Sequence, residues 1–414
     1  MSKLHVAIVG YGTAGQTAAV LLSRDGHRVE VFERAPQPGP VGAGFLLQPT
    51  GLQVLWRMGL LDAALAHGAP VRRLYGETPA GRPVMDMRYA GLDARLFGLG
   101  MQRGALFELL AQAWGIDAPT NDAILHRGAR IDAVDEATRR LCDQHGRWHG
   151  PFDLVVGADG AASRLRVVVD AGGRDRPYPW GALWCLLLRA DWPWRDELRQ
   201  RYVSARKMIG MLPVGTRPGD DTPKLSFFWS LPVAGFEPWR QCGMDRWRQE
   251  VASIWPEADA RLGGMADPDM LARATYRDAT PRAWSRGRLV LLGDAAHAMS
   301  PQLGQGVNMA LMDALALRDA LRSAASVPAA LSRFEHERRR HVGIYQFWSR
   351  WLTPVFQSSQ DLVAKARDVA FLPLGRIPGA SGHMLRVLGG TQQGIFGKRV
   401  LEPDFVAALR RDTG

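Results

Sequence analysis

Cysteine is scarce in this sequence, which has three in 414 residues, namely Cys142, Cys185 and Cys242. They lie far apart and form no Cys-x-x-Cys pair, which argues against a disulfide framework and a thiolate metal site. The sequence also has no Glu-x-x-His or His-x-x-His pair, so we expect no metal. Free thiols fit a reducing compartment, and we therefore expect a cytoplasmic protein.

Long apolar runs are also missing. No segment approaches the roughly 20 uninterrupted apolar residues of a membrane-spanning helix, so we expect no integral membrane segment. The apolar run near the N-terminus is broken by glycines, which favours a strand and turn over a signal peptide. The tail beyond residue 370 is basic and apolar, which leaves peripheral membrane contact open.

Acidic residues are fewer than basic ones, 41 against 52, which gives a net charge of +11. The excess is spread along the chain without a basic stripe or a known module, so we expect no nucleic-acid partner. Anionic cofactors or substrates account for the charge as well as an anionic membrane does. With 46% hydrophobic and 22% charged residues, the composition is that of a folded globular protein.

The chain opens with an apolar strand, residues 4–9, that runs into a glycine-rich turn and a helix. The turn contains Gly10, Gly12 and Gly15, and a second strand ends at Glu33. Such glycines permit a tight turn, close approach to a pyrophosphate and close packing of the helix, whose N-terminus offers free N–H groups. A carboxylate at position 33 suits ribose hydroxyls and disfavours a 2′-phosphate, so the unit predicts FAD or NAD rather than NADP.

Two further apolar strands end in acidic turns. The first ends at Asp159, and Ser163 follows; an ordinary turn with a helix capped by Ser163 explains this segment equally well. The second ends at Asp294 and leads through a glycine-rich loop into a helix over about 307–321. A strand end, a glycine-rich loop and a helix N-terminus together suit an anion or a polarised ring.

In this order, the three segments resemble the single-component FAD-dependent aromatic hydroxylases, the para-hydroxybenzoate-hydroxylase-like flavoprotein monooxygenases. GADGAASRLR (157–166) is similar to the family's Asp-Gly motif, and GDAAHAMSPQLGQGVN (293–308) to its Gly-Asp motif. The segment 102–106 resembles the one whose arginine reaches FAD, and 42–49 resembles the loop beside the flavin ring. The resemblance covers roughly residues 1–325, with looser similarity between the motifs.

The resemblance implies which residues hold FAD. Glu33 would bind the adenosine ribose, Arg103 a phosphate and Asp294 a ribityl hydroxyl, while the backbone of 304–308 meets the pyrimidine end of the flavin. The expected cofactor-binding residues are Gly10, Gly12, Thr13, Ala14, Gly15, Glu33, Arg34, Arg103, Asp159, Asp294, Gly304, Gln305, Gly306, Val307 and Asn308. Gly44 and Pro301 are expected near the flavin ring.

The resemblance also implies the chemistry: NAD(P)H and O2 are consumed, and an aromatic or related cyclic small molecule is hydroxylated. NAD(P)H would bind transiently, near Asp159, because the sequence has no second Gly-x-Gly-x-x-Gly motif. The oxidant would be the flavin C4a-hydroperoxide, so no protein nucleophile is required, and a catalytic acid or base is not identified. His297 is then interpreted as a packed turn residue rather than a base.

The implied fold class is α/β, with a Rossmann-like FAD-binding domain (1–174 and 281–325). An inserted, mostly antiparallel β-sheet substrate domain occupies 175–280, and a C-terminal helical segment occupies 326–414. The inserted region is rich in Trp and β-forming runs. Its candidate pocket residues, each equally explained by core packing, are Trp184, Tyr202, Met211 and Phe227.

Alternatives remain at this point. Another FAD-dependent redox enzyme, an oxidase or reductase of hydrophobic rings, fits the same motifs. A halogenase is less favoured, because Trp192-Pro193-Trp194-Arg195 lacks the Ile-Pro of the halogenase tract. A nucleotide or nucleic-acid binder without catalysis is the third class. The sequence leaves open the substrate, NADH against NADPH, and whether the protein is a monomer or homodimer.

Overall fold

The computed structural model describes residues 2–40, 42–115, 123–170, 172–375, 377 and 379–409. The last five residues of the predicted C-terminal segment lie outside this part. The strands of the first half are β1 (His5–Val9), β2 (Arg28–Glu33), β3 (Gly44–Leu47), β4 (Ala69–Val71), β5 (Arg73–Glu77), β6 (Pro83–Arg88), β7 (Gly98–Gln102), β8 (Ile124–Arg127), β9 (Ile131–Asp135), β10 (Arg140–Asp143), β11 (Trp148–His149) and β12 (Leu154–Gly157).

The remaining strands include the long antiparallel ones. They are β13 (Arg174–Leu188), β14 (Glu197–Val203), β15 (Lys207–Arg217), β16 (Asp220–Pro232), β17 (Ala272–Thr280), β18 (Ser285–Arg286), β19 (Leu289–Leu291), β20 (Gln392–Gln393) and β21 (Gly397–Lys398).

The helices lie mostly at the two ends of the chain. They are α1 (Thr13–Arg24), α2 (Pro49–Arg57), α3 (Leu61–His67), α4 (Arg103–Trp114), α5 (Leu165–Val169), α6 (Phe236–Cys242), α7 (Met244–Ile254), α8 (Pro256–Leu262), α9 (Asp294–His297), α10 (Gly306–Ser323), α11 (Val327–Phe356), α12 (Asp361–Gly375), α13 (Ala380–Leu388) and α14 (Pro403–Ala408). Short 3-10 turns are formed by Tyr89–Gly91, Val233–Gly235, Pro268–Met270 and Pro301–Leu303.

A parallel sheet carries the three motifs. Within the described residues its order is β8-β2-β1-β12-β19-β18, parallel except for the edge pair β18–β19. Apart from the half-buried His5 at the start of β1, strands β1, β12 and β19 are apolar and buried, as expected for parallel strands covered on both faces. Because these three are neighbours and run in the same direction, their carboxyl ends meet at one edge of the sheet.

A second, mostly antiparallel sheet lies beside the first. Its order is β17-β13-β16-β15-β14-β5-β6, and only β14–β5 is parallel. The predicted α/β fold class is confirmed, but the predicted boundaries need one correction. Strands β5 and β6, residues 73–88, extend this sheet through β14. They therefore belong to the antiparallel sheet, although they lie within the stretch 1–174 that was assigned to the FAD-binding domain.

The C-terminal segment folds back over the parallel-sheet region. Helix α11 continues through Pro354 and ends at Phe356. The aromatic residues of its second half are only partly core: Tyr345 is fully buried, whereas Trp351 is 64% exposed. Arg57 in α2 forms an ion pair with Glu402, which fixes the chain before α14. Among the described helices, none is both long enough and apolar enough to cross a membrane.

Candidate active site

The three motifs converge because their strands end side by side. The amide of Leu292 donates to the carbonyl of Gly157 at 2.9 Å, which joins the end of β19 to the end of β12. A Cβ placed on Gly10 would lie 2.3 Å from the carbonyl oxygen of Ala158. At its φ of +103°, Gly10 therefore allows the first turn to approach the second motif as no other residue would.

The glycine-rich turn leaves room for a ligand at one position only. A Cβ on Gly15 would lie 1.9 Å from the carbonyl oxygen of Gly10, whereas a Cβ on Gly12 would meet no atom within 4 Å. Helix α1 begins at Thr13, which is half-buried, and Ala14 is buried. The N–H groups of its first turn have no intrahelical acceptors, so they are available to an anion above Gly12.

Glu33 at the end of β2 faces the same turn. Its Oε2 accepts from the amide of Tyr11 and its Oε1 from the amide of Ala35, each at 2.8 Å. Each carboxylate oxygen keeps a further lone pair, so the half-buried carboxylate retains capacity for ribose hydroxyls. Arg34 is exposed next to it. Its role in cofactor binding stays a prediction.

Arg103 lies near Asp294 and Tyr276, and we term the space that these three residues border the recess. Arg103 begins α4, and its amide donates to the carbonyl of Ala43 at 2.9 Å. The Arg103 side chain is exposed at its surface, but many protein atoms lie around it. Burial there lowers the pKa of Arg103, and the charges of Asp294 and Tyr276 oppose this shift. Because an arginine stays protonated in proteins, the Arg103 side chain is a cation that is accessible to solvent.

Asp294 and the start of α10 form the opposite wall of the recess. The Asp294 carboxylate is exposed and has no hydrogen-bond partner among the described residues. Its Oδ1 lies 3.9 Å from where a Cβ on Gly306 would be. The first hydrogen bond of α10 runs from Met309 N to Gln305 O, so the preceding amides are free.

The loop before α10 presents backbone rather than side chains. Pro301 is half-buried in its 3-10 turn, and Gly304 is exposed at a φ of +60°. Val307 is half-buried within the first turn of α10. That this loop offers N–H groups to the flavin stays a prediction.

Asn308 and Gln305 have buried side chains that hold this loop in place. Asn308 Oδ1 accepts from the amide of Gln48 at 2.8 Å, and its Nδ2 donates to Leu46 O at 3.3 Å and Gly304 O at 3.2 Å. Gln305 Nε2 donates to main-chain carbonyls at the end of α13. Both side-chain amides therefore hold the loop, although the buried Oε1 of Gln305 has no partner among the described residues. The main-chain groups of both residues remain candidates for contact with the cofactor.

The Asp-Gly motif is built as a capped turn. Asp159 Oδ2 accepts from the amide of Arg164 at 2.9 Å, while its Oδ1 is buried with no partner among the described residues. Ser163 Oγ accepts from the amide of Arg166 at 3.0 Å, so this serine caps as expected. Sequence reasoning missed the buried Arg166, whose guanidinium donates to the carbonyls of Ala295 and Asp294. It ties the second motif to the third.

The aromatic wall of the recess comes from the inner face of the antiparallel sheet. Trp184 Nε1 donates to the hydroxyl of Tyr276 at 3.2 Å, and the Trp184 ring lies 5.0 Å from Phe228. Burial raises the pKa of Tyr276, so its hydroxyl is protonated at neutral pH. Sequence reasoning missed Tyr276 and Phe228. Tyr276 could have been found from β17, where Ala274 and Tyr276 alternate with the polar residues Arg273, Thr275 and Arg277.

Three of the predicted pocket residues lie elsewhere, which corrects our expectation. Met211 and Phe227 are fully buried on the outer face, in a core that includes Trp247 of α7. Because side chains alternate along a strand, Phe228 rather than Phe227 points to the inner face. Tyr202 is on the inner face but is covered, with its ring 5.2 Å from that of Phe356.

Gly44 packs against the antiparallel sheet, and its expected position near the flavin ring stays a prediction. A Cβ there would lie 2.6 Å from Cγ1 of Val214, so Gly44 brings β3 close to the antiparallel sheet. Its neighbour Gly42, by contrast, lies against the Arg103 side chain. The described residues hold no group of three or more His, Cys, Asp and Glu side chains able to bind a metal.

Comparison with known proteins identifies the family. A family model described as an FAD binding domain matches residues 3–344. The chain belongs to this family. Within the part of the chain that the structure describes, the amides at the start of α1, the exposed carboxylate of Asp294 and the orphaned oxygen of Asp159 fit such a cofactor.

Named relatives of this FAD-binding chain catalyse oxygenation. The FAD-dependent urate hydroxylase of Klebsiella pneumoniae is 27% identical over 348 residues, covering 81% of this chain and 86% of that protein. The aurachin C monooxygenase/isomerase of Stigmatella aurantiaca is 30% identical over 349 residues, covering 80% and 84%. The crystal structure of Klebsiella pneumoniae HpxO complexed with FAD and uric acid shares the fold, with a TM-score of 0.75, 22% identity and coverage of 93% and 96%.

These findings confirm the identification made from sequence. The protein is an FAD-dependent monooxygenase of the aromatic hydroxylase type, and FAD is its cofactor. The urate hydroxylase and the aurachin C monooxygenase are both oxygenases, which favours hydroxylation over halogenation and over binding without catalysis.

Proposed function

We propose that this FAD-dependent monooxygenase uses NAD(P)H and O2 to hydroxylate a small, uncharged aromatic or heterocyclic compound. The observation that carries the proposal is that Arg103 lies near Asp294 and near Tyr276, whose hydroxyl accepts from Trp184 at 3.2 Å, so the FAD motifs and the aromatic wall border one recess. Arg103 and Asp294 come from the parallel-sheet region, and Tyr276 comes from the antiparallel sheet. A ring bound between the two sheets would touch both the flavin and the aromatic wall.

We propose that the family's cofactor contacts apply to this chain residue by residue. The free amides above Gly12 would hold the pyrophosphate and Glu33 the adenosine ribose. Arg103 would supply a phosphate contact, and Asp294 would accept from a ribityl hydroxyl. When bound and reduced, FAD supplies the electrons that activate O2 for transfer of one oxygen atom to the substrate ring.

The protein's own contribution is to bind, orient and exclude water. The central residues of the inner face are uncharged, whereas Lys224 and Asp278 stand at its ends; the central residues are Ala182, Trp184, Met208, Gly210, Leu212, Ser226, Phe228, Ala274 and Tyr276. Trp184 and Phe228 offer ring faces and edges to an aromatic substrate. The Tyr276 hydroxyl, protonated at neutral pH, keeps a polar contact for a ring carbonyl or hydroxyl.

An uncharged substrate is favoured over a carboxylate by the cost of desolvation. Burying a carboxylate without a partner costs several kcal/mol, and the central inner-face positions named above provide no cation. Arg103 is the cation on the recess, and we assign it to FAD. A substrate carboxylate would have to compete with the cofactor for that guanidinium.

Steady-state and rapid-mixing kinetics test this function. Neutral hydroxylated heterocycles and their carboxylate analogues of equal ring size would be compared for acceleration of NADH and NADPH oxidation. We expect acceleration by neutral rings and a product with one added oxygen by mass spectrometry. Hydrogen peroxide as the sole product with every ring tested would contradict hydroxylation, and a preference for carboxylates would contradict the substrate class. Cytoplasmic location, oligomeric state and membrane contact stay predictions.

A further inference from the structure

The start of α10 is held from a direction opposite to the recess. Gln305 is buried just before the helix, and its Nε2 donates to Val387 O at 3.1 Å and to Leu388 O at 2.7 Å. These are the last two residues of α13, where helix carbonyls lack intrahelical donors. One side-chain amide thus caps α13 and fixes the loop that precedes α10.

A second chain of hydrogen bonds connects α10, at Asp313, with Gly390, two residues after the end of α13. Asp313 Oδ1 accepts from Arg338 Nε at 2.6 Å, and Arg338 Nη1 lies 2.8 Å from His341 Nδ1. Because the guanidinium can only donate, Nδ1 accepts and Nε2 carries the proton. His341 Nε2 then donates to the carbonyl of Gly390 at 2.9 Å. All of these side chains are buried.

The segment around Gly390 is also held by close packing against α2. Gly390 has a φ of +78°, and a Cβ there would lie 2.1 Å from Oγ1 of Thr50. The amide of Gln48, just before α2, donates to Asn308 in α10. Helix α2 therefore contacts both Gly390 and the start of α10. Residues 387–390, which we term the C-terminal clamp, lie beyond residue 344, where the family match ends.

We propose that the C-terminal clamp positions the flavin by fixing the direction in which the free amides of α10 point. The proposal rests on the flavin site proposed above. A helix N-terminus stabilises the negative charge that a flavin gains on reduction. Loosening the clamp therefore makes the bound FAD harder to reduce and weakens its retention.

Gln305→Met tests the first connection, because methionine has similar length but no donor. We expect the dissociation constant of FAD to rise about tenfold or more and the reduction potential of bound FAD to become more negative. Gln360→Met, which alters an exposed amide, is the control. A Gln305→Met enzyme with wild-type affinity and potential but a lower thermal midpoint would show a purely structural role and overturn the proposal.

A matched glycine pair keeps the proposal testable if Gln305→Met does not fold. Gly390→Ala and Gly394→Ala both place alanine at a positive φ, +78° and +57°, but only the first methyl meets Thr50. We expect Gly390→Ala alone to weaken FAD binding and lower its potential. Identical flavin properties in the two variants would overturn the clamp.

Failure of the clamp and failure of the flavin site are distinguishable. If Arg103→Ala and Asp294→Ala lose FAD while Gln305→Met and Gly390→Ala keep normal affinity and potential, the site stands and the clamp is wrong. If all four variants bind FAD normally, the site assignment is wrong as well.

Discussion

His297 Nε2 lies 2.6 Å from Oδ2 of Asp313, and both side chains are fully enclosed by protein. The same carboxylate accepts from the amide of Gly293 at 2.8 Å and from Arg338. These donors, together with the positive charge of Arg338, hold the pKa of Asp313 down at about 2 despite its burial. An ionised Asp313 only accepts, so His297 donates. The pair anchors the third motif, and its full burial together with the Arg338 contact favours a structural role for His297, which stays a prediction.

Replacing His297 therefore costs stability rather than chemistry. His297→Ala removes one donor from a buried carboxylate, and we expect the free energy of unfolding to fall by about 2–3 kcal/mol. The folded fraction should retain FAD and hydroxylate. Urea denaturation gives the stability, with the exposed His336→Ala as control. A His297→Ala enzyme of normal stability that binds FAD but forms no product would contradict this interpretation.

Acid should destabilise the protein through His341. Burial, and then the Arg338 charge, lower the pKa of His341 to about 3 from 6.5. Between these values the unfolded chain binds the proton that the folded protein excludes. Stability is therefore complete above about pH 6.5 and falls by about 1.4 kcal/mol for each pH unit below it. Asp313 adds a loss between about pH 4 and pH 2.

The measurement is the free energy of unfolding of wild type and His341→Gln at pH 7, 6, 5 and 4. Glutamine keeps a donor but does not titrate in this range, so its pH dependence should be flatter. Parallel curves for the two proteins would exclude His341 as the titrating group.

Sequence patterns predicted the parallel sheet and its motifs because each has a local cause. Gly10 and Gly15 are required where backbones touch, and the strands ending near Asp159 and Asp294 are continuous apolar runs. The faces of the second sheet were not assigned from sequence, although β16 carries a signal. Leu225, Phe227 and Trp229 alternate with Ser226 and Ser230, and Phe228 interrupts the polar set.

The C-terminal contacts could not be predicted from sequence either. Gln305 belongs to a recognisable motif, but its partners are main-chain carbonyls, which any residue types would supply. Arg166 likewise binds carbonyls of the third motif, 129 residues away at Ala295. Such long-range contacts depend on the packing of elements and leave no periodic signal.

Two glycines of the first turn should respond differently to alanine. Gly12→Ala introduces a methyl into open space, so the protein without FAD should keep its thermal midpoint while the methyl obstructs the pyrophosphate. Gly15→Ala would place its methyl 1.9 Å from a carbonyl oxygen and should lower stability by several kcal/mol or prevent folding. Thermal unfolding without FAD and titration with FAD separate the two effects. Unchanged FAD affinity in Gly12→Ala would argue against a phosphate there.

Arg103 and Asp294 should control flavin retention. Arg103→Ala removes a charged fork and Asp294→Ala a free carboxylate, so we expect the dissociation constant of FAD to rise about tenfold or more in each. Arg103→Lys should recover part of the affinity, because it keeps the charge but not the two parallel donors. Flavin fluorescence measures the binding, with the exposed Arg340→Ala as control. Full retention in both alanine variants would refute the assignment.

Trp184 and Phe227 should separate substrate binding from stability. Trp184 lies on the inner face beside Phe228, so Trp184→Leu should raise the KM for the ring substrate and increase peroxide formation, with a smaller change in stability. Phe227 is fully buried on the outer face, so Phe227→Ala should cost about 3–5 kcal/mol of unfolding free energy, with little change in KM for the folded enzyme. Product yield per NAD(P)H oxidised and urea denaturation are the two measurements. If Phe227→Ala instead shifted substrate preference, the inner face would have been assigned to the wrong alternation of β16, and Ser226 and Phe228 would belong to the core.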